Sequence, residues 1–369
     1  MKSEWKECSL GSLVIFKNGK KRPDIGTNFP VYGGNGVLGY ADKWNNENCI
    51  IIGRVGAYCG SVFREKGKCW ISDNAISGVS DTNNIEYLYY LLKSLQLNKR
   101  HIGTSQPLLT QEILNNIRVI IPPYRIQAKI AAILCSLDDK IELNNKINEN
   151  LERQAQAIFK SWFDDCIPFG GAAPKEWRNV ILDDITSLVT RGIAPKYSDD
   201  SDQTVINQKC IRNHMIDLSL ARTHTPKTIN EKWLQYGDLL INSTGTGTLG
   251  RAAQVWFEPK NLTVDSHITI VRPAKENLIF YIGLWGISHE KEIESLHTGS
   301  TGQTELPRER VKAIELLLPD NKTLDRFNAT IAPMAAAIVS NQKENQRLVE
   351  IRDALIPKLM SGELSIPNI

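Results

Sequence analysis

The sequence of 369 residues contains no apolar run of the roughly 20 residues that are needed to cross a bilayer. Its N-terminal stretch LGSLVIF is too short, and wrongly flanked, for a secretory signal peptide. The sequence therefore predicts a soluble protein of the cytoplasm, with no membrane partner.

Cysteine and histidine are too scattered for a disulfide framework or a structural metal site. The sequence has no C-x-x-C pair and no histidines at zinc-ligand spacing, and its acidic residues form no spaced nuclease cluster. An odd number of dispersed thiols indicates reduced, mostly buried cysteines. The seven cysteines are Cys8, Cys49, Cys59, Cys69, Cys135, Cys166 and Cys210. The sequence predicts no metal and no catalytic residue in this chain.

The sequence also lacks a strong net charge, which is only +3. Charge is nevertheless unevenly distributed: residues 1–123 hold 15 Lys and Arg against 10 Asp and Glu, whereas residues 177–319 hold 16 against 17. A nucleic acid partner is neither required nor excluded by the sum, but only the first block is distinctly basic.

Three short motifs resemble cofactor or catalytic signatures, and each lacks a necessary part. GTGTLG at 245–250 follows a strand-like run, but the next residues favour a strand that Pro259 soon stops, so a hairpin turn is the better interpretation. IPPY at 121–124 has Ile where amino-methyltransferases carry the Asn or Asp that binds the target amino group. HTGSTGQTELP at 297–307 lacks the Gly-Lys-Ser/Thr ending of a Walker A loop.

The chain consists of two diverged copies of one plan. WKECSLGSL from Trp5 is echoed by WRNVILDDI from Trp177, an offset of 172. GTSQPLLTQEILNNIRVIIPP from Gly103 is echoed by STGQTELPRERVKAIELLLPD from Ser300, an offset of 197 that then holds to the ends of both copies. The second copy has therefore gained about 25 residues in its middle.

Each copy has a mixed globular block followed by a long helix. Apolar runs such as NCIIIGRVG and ISDNAISGV, and their matches DLLINSTGTG and VDSHITIVRP, predict short strands and turns. The helices follow Pro123 and Pro319, with Ser136 as a possible N-cap and Pro333 suited to a first turn. The sequence thus predicts a short helix, a break at 135–136 and at 332–333, and then a long helix, which from 137 to 163 would be roughly 40 Å long.

Apolar residues at three-and-four spacing predict a coiled-coil seam in both helices. Two asparagines stand at matching seam positions in each helix, where a polar residue costs stability but fixes register and partner. In the alternative interpretation the seam drifts through Ile147 and leaves the asparagines partly exposed. We expect the two helices to pair antiparallel. The seam residues are Leu137, Ile141, Asn144, Asn148, Leu151 and Ile158 in the first helix, and Ile338, Asn341, Asn345, Leu348, Leu355 and Leu359 in the second.

Basic, hydroxyl and amide side chains occur in matching loops of the two blocks. Arg and Lys neutralise phosphates or read guanine, and Ser, Thr, Gln and backbone N–H groups grip phosphate oxygens. For any single residue, a solvated surface position is an equally good interpretation. The candidates in the first block are Lys17, Lys20, Lys21, Arg22, Arg54, Tyr58, Lys99, Arg100, Thr104, Ser105 and Gln106. Those in the second block are Arg191, Lys196, Arg212, Thr244, Thr246, Arg251, Ser300, Thr301 and Gln303.

The whole pattern resembles the specificity (S) subunit of type I restriction-modification systems. The resemblance covers essentially the whole chain. It rests on the two-copy layout, the block endings GTSQ…IRVIIPP and GSTGQ…IELLLP, the helix KIELNNKINENL from Lys140, and, most specifically, the stretch RDALIPKLMSGEL from Arg352.

The resemblance implies two α/β target-recognition domains in a pseudo-twofold repeat, separated by two long helices that form an antiparallel coiled coil. The domains would be residues 1–123 and 177–319, and the spacer helix regions 124–176 and 320–369. The implied partners are double-stranded DNA with a bipartite target, two methyltransferase (M) subunits and, in a full complex, restriction (R) subunits. S-adenosylmethionine, ATP and Mg would act on those partners, so this chain would need no cofactor of its own.

Two alternatives stay open at this point. One is a self-sufficient DNA methyltransferase or nuclease fragment, which the missing Asn or Asp before Pro122 and the absent cofactor loop disfavour. The other is a coiled-coil adaptor whose blocks bind protein. Salt-sensitive duplex binding that depends on Lys20, Lys21 and Arg22 would separate the DNA-binding hypothesis from the adaptor.

Overall fold

The computed structural model describes residues 4–103, 106–299 and 304–364. It confirms the mixed α/β class with two long helices, and none of the helices in these ranges combines the length and the hydropathy of a membrane span. The residues divide into two compact units, one of residues 1–143 with 344–369 and the other of residues 144–343. All seven cysteines are free thiols, five of them buried, as predicted.

The first unit contains a six-stranded sheet in the order β2-β7-β5-β6-β3-β4, and a separate pair of strands, β1 and β8. All neighbours in the six-stranded sheet are antiparallel except β3 and β6. The strands are β1 Lys6–Ser9, β2 Ile15–Asn18, β3 Phe29–Gly33, β4 Gly36–Ala41, β5 Asn46–Gly53, β6 Val62–Ile71, β7 Ala75–Val79 and β8 Arg118–Ile121. The helices of this block are α1 Ile85–Ser94 and α2 Gln111–Asn116.

Both faces of the central strand β5 are buried. Successive side chains of a strand point to opposite faces, so neighbouring residues of β5 enter different cores. Ile50 and Ile52 join the core that also holds Leu88 and Leu92 of α1, whereas Ile51 packs in a second cluster with Tyr32. An apolar run without alternation, IIIG, is therefore what this strand requires.

The second unit repeats this plan with more strands. Its sheets have the orders β10-β18-β15-β16, β14-β11-β17, β12-β13 and β9-β19. The strands are β9 Arg178–Ile181, β10 Thr186–Arg191, β11 Thr204–Ile206, β12 Ile211–Arg212, β13 Met215–Ile216, β14 Arg222–Thr223, β15 Leu239–Asn242, β16 Ala252–Gln254, β17 Leu262–Val264, β18 Ile268–Pro273 and β19 Glu315–Leu318. Its short helices are α4 Ile279–Ser288, α5 Glu290–Ser295 and α6 Arg308–Lys312.

The register of the strands shows which residues of the two blocks are equivalent. Ile50 pairs with Gly78 as Leu239 pairs with Val271, and Gly53 pairs with Ala75 as Asn242 pairs with Ile268. The parallel pair β3–β6 has its counterpart in β11–β17. Where the first block has one long strand, β6, the second has β16 and β17.

The extra residues of the second copy lie mainly between β11 and β15. Only 12 residues separate β3 from β5 (34–45), but 32 separate β11 from β15 (207–238). The longer segment contains the hairpin β12–β13 and a two-residue strand, β14, that pairs with β11. The insertion is thus a local elaboration that leaves the repeated sheet intact.

The long helices are α3 Tyr124–Phe159 and α7 Asn321–Met360, and neither has the predicted break. That prediction was wrong. Ser136 does not cap a helix: its hydroxyl donates to the carbonyl of Ile133 inside α3, at 2.7 Å. Pro333 is exposed, so the carbonyl that loses its helical partner faces water while Ile331 and Ala335 hold the other face in the core. Tertiary packing overrides the local stop signals.

In the first unit the start of α3 packs against the end of α7. Ile130 and Leu134 share a core with Ile356 and Leu359. On the same surface Arg352 Nη1 lies 2.6 Å from Asp138 Oδ1. Lys140 Nζ lies 3.1 Å from Glu344 Oε2. The residue numbers rise along one helix as they fall along the other, so these segments run antiparallel.

In the second unit the end of α3 packs against the start of α7, again antiparallel. Ala155 and Phe159 share a core with Phe327 and Ile331. After Phe159 the chain makes one π-helical turn, Lys160–Asp164.

In the second unit, asparagines of α3 and α7 meet at this seam, and Asn341 is half-buried. Asn144 and Asn148 are buried, and Asn341 Nδ2 donates to Asn148 Oδ1 at 2.8 Å. Ile147, the residue of the alternative seam, is 40% exposed. The burial pattern therefore agrees with a seam through the asparagines.

Candidate nucleic-acid interface

At one end of the six-stranded sheet, two loops meet the turn that precedes β7. The backbone N–H of Gly19, in the loop after β2, donates to the carbonyl of Ala75 at 3.0 Å, and that of Lys20 donates to Ile71 at 3.0 Å. The N–H of Arg54, in the turn after β5, donates to the carbonyl of Asn74 at 2.9 Å. Sheet topology therefore brings together the basic segment 17–22 and the Arg54–Tyr58 turn, although Lys17, predicted in a loop, lies in β2.

The loop 101–109 closes on the same turn. Val55 and Leu108 form a β-bridge, and the N–H of Leu109 donates to the carbonyl of Arg54 at 2.9 Å. On the other side of the turn, a Cβ added at Gly60 would meet Asn98 N at 2.2 Å, and the φ of Gly60 is +88°. Only glycine tolerates this approach. The Leu97–Lys99 turn is thereby held against the same end of the sheet.

The second unit has the same construction, hydrogen bond for hydrogen bond. Gly192 donates to Ile268 at 3.1 Å as Gly19 does to Ala75. Ser243 donates to the carbonyl of His267 at 2.8 Å as Arg54 does to Asn74. The remaining equivalents are the bonds Ile193 to Val264 and Leu306 to Ser243, and the bridges Thr244–Glu305 and Thr298–Glu305.

The GTGTLG motif lies in this second set and is a hairpin turn, as predicted. The strands on its two sides, β15 and β16, pair antiparallel. Gly245, Gly247 and Gly250 have positive φ, and Arg251 Nη2 donates to the carbonyl of Gly247 at 2.8 Å. No helix follows the motif, so it cannot present a helix N-terminus to a pyrophosphate.

The candidate side chains of the first block are mostly exposed. Two of the arginines bind backbone carbonyls: Arg22 Nη2 donates to Leu38 at 3.0 Å, and Arg100 Nε donates to Leu95 at 3.1 Å. Arg54 is half-buried, with Nη1 3.4 Å from the carbonyl of Asp73. The exposed candidates are Lys17, Lys20, Lys21, Arg22, Tyr58, Lys99, Arg100 and Gln106.

In the second block several candidates are engaged within the protein. Arg191 donates to the carbonyls of Ser266 and Leu306 and to Glu305 Oε1, at 3.1, 2.8 and 2.9 Å. These bonds hold the loop before α6 against the turn before β18, so the Arg191 guanidinium is a positioning group here. Thr246 and Lys196 are exposed.

Some candidates fall outside this group. Arg212 lies on β12, and the next turn of that hairpin contacts α3: His214 Nδ1 lies 3.3 Å from Glu152 Oε1. The structure therefore places Arg212 on the inserted hairpin β12–β13. It does not lie in the loops that the backbone bonds described above tie to the turns before β7 and β18, which we call the converging loops. Five candidates lie outside the described residues, namely Thr104, Ser105, Ser300, Thr301 and Gln303.

The turn before β7 and β18 was missed at the sequence level. The runs ISDNAISGV and VDSHITIVRP predict strands and turns, and a lone histidine such as His267 is more often structural than a ligand, so neither polar centre was among the predicted site residues. Asn74 and His267 occupy equivalent positions there, and both are exposed. Behind the second turn, burial raises the pKa of Asp265, while the N–H of His267, which donates to Asp265 Oδ1 at 2.9 Å, lowers it.

Among residues 4–103, 106–299 and 304–364, no group of three or more His, Cys, Asp or Glu side chains has the geometry to hold a metal ion. The arrangement offers basic, amide and imidazole groups on a fixed backbone frame. Such groups bind phosphate oxygens and base edges by charge and hydrogen bonds.

Comparison with known proteins gives one consistent result. Residues 2–153 match the family described as type I restriction modification DNA specificity domain. The chain is 29% identical over 313 residues to the type I restriction enzyme MjaIX specificity subunit of Methanocaldococcus jannaschii, covering 77% of this chain and 70% of that protein. It is 24% identical over 362 residues to the HindI specificity subunit of Haemophilus influenzae, covering 76% and 77%.

A solved structure has the same fold. The crystal structure of the type I restriction-modification system S subunit from M. genitalium superposes with a TM-score of 0.62 at 17% identity, over 99% of this chain and 96% of that one.

Proposed function

Since the chain belongs to the family of type I restriction-modification specificity subunits, we propose that it gives such a complex its DNA sequence specificity by reading a bipartite target in double-stranded DNA. Residues 1–123 read one half of the target and residues 177–319 read the other. The regions 124–176 and 320–369 set the spacing between the halves. The chain acts in the cytoplasm, where its DNA is.

The observation that carries this proposal is the duplication of the converging loops. Two sets of loops are tied by equivalent backbone hydrogen bonds, Gly19 to Ala75 and Gly192 to Ile268 among them. One cofactor or one small substrate has no need of two such surfaces. A bipartite duplex target does, because each half presents its own base edges and phosphates.

Within each set, the frame and the side chains have different tasks. The backbone bonds fix the loops, so that an exposed side chain such as Lys21 or Thr246 enters binding with little further ordering. Lysines of the first block neutralise phosphates, which is a sequence-independent contribution. Sequence is read by amide, imidazole and guanidinium groups at base edges.

The helices supply the spacing and the docking surfaces. The Asn341–Asn148 hydrogen bond fixes the register of one helix against the other, as polar residues do in coiled-coil seams. Two methyltransferase subunits dock on the spacer helices and carry S-adenosylmethionine. Where a restriction subunit joins the complex, ATP and Mg belong to it. This chain contributes recognition and no catalytic step.

The test is to express the chain with its cognate methyltransferase subunit and to sequence the methylated DNA of the cells. We expect methylation at one split motif, with two short defined halves separated by a fixed number of undefined bases. A contiguous motif would contradict the proposal.

A second arm addresses catalysis. The purified chain alone, given S-adenosylmethionine and unmodified DNA, is expected to methylate nothing. Methylation by the chain alone would make it a self-sufficient methyltransferase and would overturn the assignment of chemistry to a partner.

A further inference from the structure

His267 stands at the centre of the second set of converging loops. Its carbonyl accepts the N–H of Ser243, and its own N–H donates to Asp265 Oδ1, at 2.8 and 2.9 Å. Asp265 is buried behind the turn. The backbone of His267 is therefore fixed from both sides, while its ring is exposed at the end of the sheet.

A chain of polar side chains also fixes the ring. Gln208 Nε2 donates to Thr244 Oγ1 at 2.8 Å, and Thr244 Oγ1 lies 2.8 Å from His267 Nδ1. Thr248 Oγ1 lies 3.1 Å from Gln208 Oε1 and 3.3 Å from the carbonyls of Thr244 and Gly245, so the shortest of its three contacts agrees with this orientation of the amide. The relay therefore starts from a donor, because the amide NH₂ has no acceptor character.

The direction of this relay favours one tautomer of the ring. Thr244 Oγ1 accepts a proton from Gln208 and has one proton of its own, which it can donate to His267 Nδ1 at 2.8 Å. A neutral imidazole that accepts at Nδ1 carries its proton at Nε2. The exposed ring atom is then a hydrogen-bond donor of fixed position.

Asn74 holds the same place in the first block. Its carbonyl accepts the N–H of Arg54 at 2.9 Å, as that of His267 accepts the N–H of Ser243. The Asn74 side chain is exposed and offers both an acceptor and a donor, the combination that pairs with an adenine edge. Identical backbone positions thus present different hydrogen-bonding groups.

We propose that His267 reads one base of the second half of the target, donating from Nε2 to an acceptor at the major-groove edge such as guanine N7 or O6, and that Asn74 reads the equivalent base of the first half. Thr244 and Gln208 position the ring and touch no DNA through the relay atoms. This inference rests on the proposed function and names residues that determine its specificity.

The experiment compares methylated motifs of cells that express the methyltransferase subunit with wild-type chain, His267→Ala or Asn74→Ala. His267→Ala is expected to relax one base position in the second half and to leave the first half and the spacing unchanged. Asn74→Ala is expected to do the reverse. In duplex competition assays, discrimination at the affected base pair should fall about tenfold, the scale of one lost hydrogen bond to a base.

Two further variants sharpen the assignment. Thr244→Val keeps the volume but removes the hydroxyl, so the ring loses the contact that favours its Nε2-protonated tautomer and the same base position should relax, by less than in His267→Ala. Lys275→Ala changes an exposed side chain just after β18, at the opposite end of that strand from His267, and should leave both halves as in the wild type.

The outcomes separate this inference from the proposed function. If the wild type gives no split motif, the proposed function fails. If the wild type gives a split motif and His267→Ala changes neither half, or weakens both halves equally, the inference fails while the function stands. Relaxation at a second-half position in His267→Ala that Thr244→Val does not reproduce would overturn the relay.

Discussion

The two blocks share a backbone frame, but they place their buried charges differently. In the second block Arg272 and Asp238 form a buried pair with Nε and Oδ1 at 2.8 Å. The strand register puts Val79 and Cys49 at these positions in the first block. The first block has its own pair, Arg64 with Glu86 at 2.9 Å. The repeat therefore preserves strand pairing, and each copy completes its interior independently.

The converging loops differ in the same way. In the first block the loop after β2 keeps three adjacent cations, Lys20, Lys21 and Arg22, at the surface. In the second block, Ile193 stands at the position equivalent to Lys20. The nearby Arg191 is bound to Glu305 and to two backbone carbonyls. Under the proposed function, we expect the first block to supply most of the non-specific attraction to phosphate and the second block to depend more on neutral hydrogen-bonding groups.

The largest effect is expected from breaking the buried pair of the second block. Arg272→Val leaves the Asp238 carboxylate without its partner in an interior where burial already raises the pKa of Asp238. Removing one partner of a buried pair costs about 3–5 kcal/mol. Denaturant unfolding and hydrogen exchange should show this loss, with the exchange of β15 and β18 accelerated more than that of β5 and β7.

A matched set of variants tests the cause. Asp238→Cys combined with Arg272→Val copies the first block and should recover most of the stability, because no unpaired charge remains. Arg64→Gln, which copies Gln254 into the first block, should cost less than Arg272→Val, since Glu86 remains partly in contact with water. Equal losses in Arg272→Val and the double variant would show that packing, and not the unpaired carboxylate, is responsible.

The next effect concerns the unequal charge of the loops. Lys20→Ala, Lys21→Ala and Arg22→Ala together should weaken duplex binding roughly 10- to 100-fold at low salt and lower the slope of log affinity against log salt by about 2–3. Lys196→Ala, in the equivalent loop of the second block, should lower that slope by about one at most. Binding measured by titration at several salt concentrations gives both slopes. Equal slopes for the triple variant and the wild type would contradict a phosphate-binding role for this loop.

The repeat made most of the fold predictable. A match between the two copies supports a strand or helix in both, even where the local signals of one copy are weak. The strand runs around Ile51 and Leu240, the two long helices and the hairpin at GTGTLG follow from it. The repeat did not predict that α3 continues through Ser136 or that α7 continues through Pro333. A local stop signal carries no information about the packing against another helix that overrides it.

The site was predictable as a set of loops and less so as a set of residues. Arg191 has the chemistry of a DNA-binding residue, but its bond to Glu305 joins positions 114 residues apart. His267 has no distinctive sequence neighbours, and the relay from Gln208 through Thr244 exists only when three separate turns meet. Composition and spacing predict neither the Arg191–Glu305 bond nor the relay to His267.

The smallest effect is expected at the inserted hairpin, which has no counterpart in the first block. His214 lies between Glu152 of α3 and Glu290 of α5, at 3.3 and 3.7 Å. Hydrogen bonds to these two carboxylates raise the pKa of His214 from 6.5 to about 9, against the opposing effect of burial. Because the folded pKa is the higher one, the stabilisation is complete below pH 6.5 and is lost as the pH rises through about 9.

Unfolding measured at pH 6.5 and at pH 9.5 should therefore reveal the hairpin contact. We expect the wild type to lose about 1–2 kcal/mol more than His214→Gln over this interval, a figure reduced for the partial exposure of the ring. Gln keeps a hydrogen-bond donor but does not titrate, so the difference between the two proteins isolates the charge of His214. The same pH dependence in both would mean that the two carboxylates do not hold a charged His214, and that the hairpin is attached to α3 by packing alone.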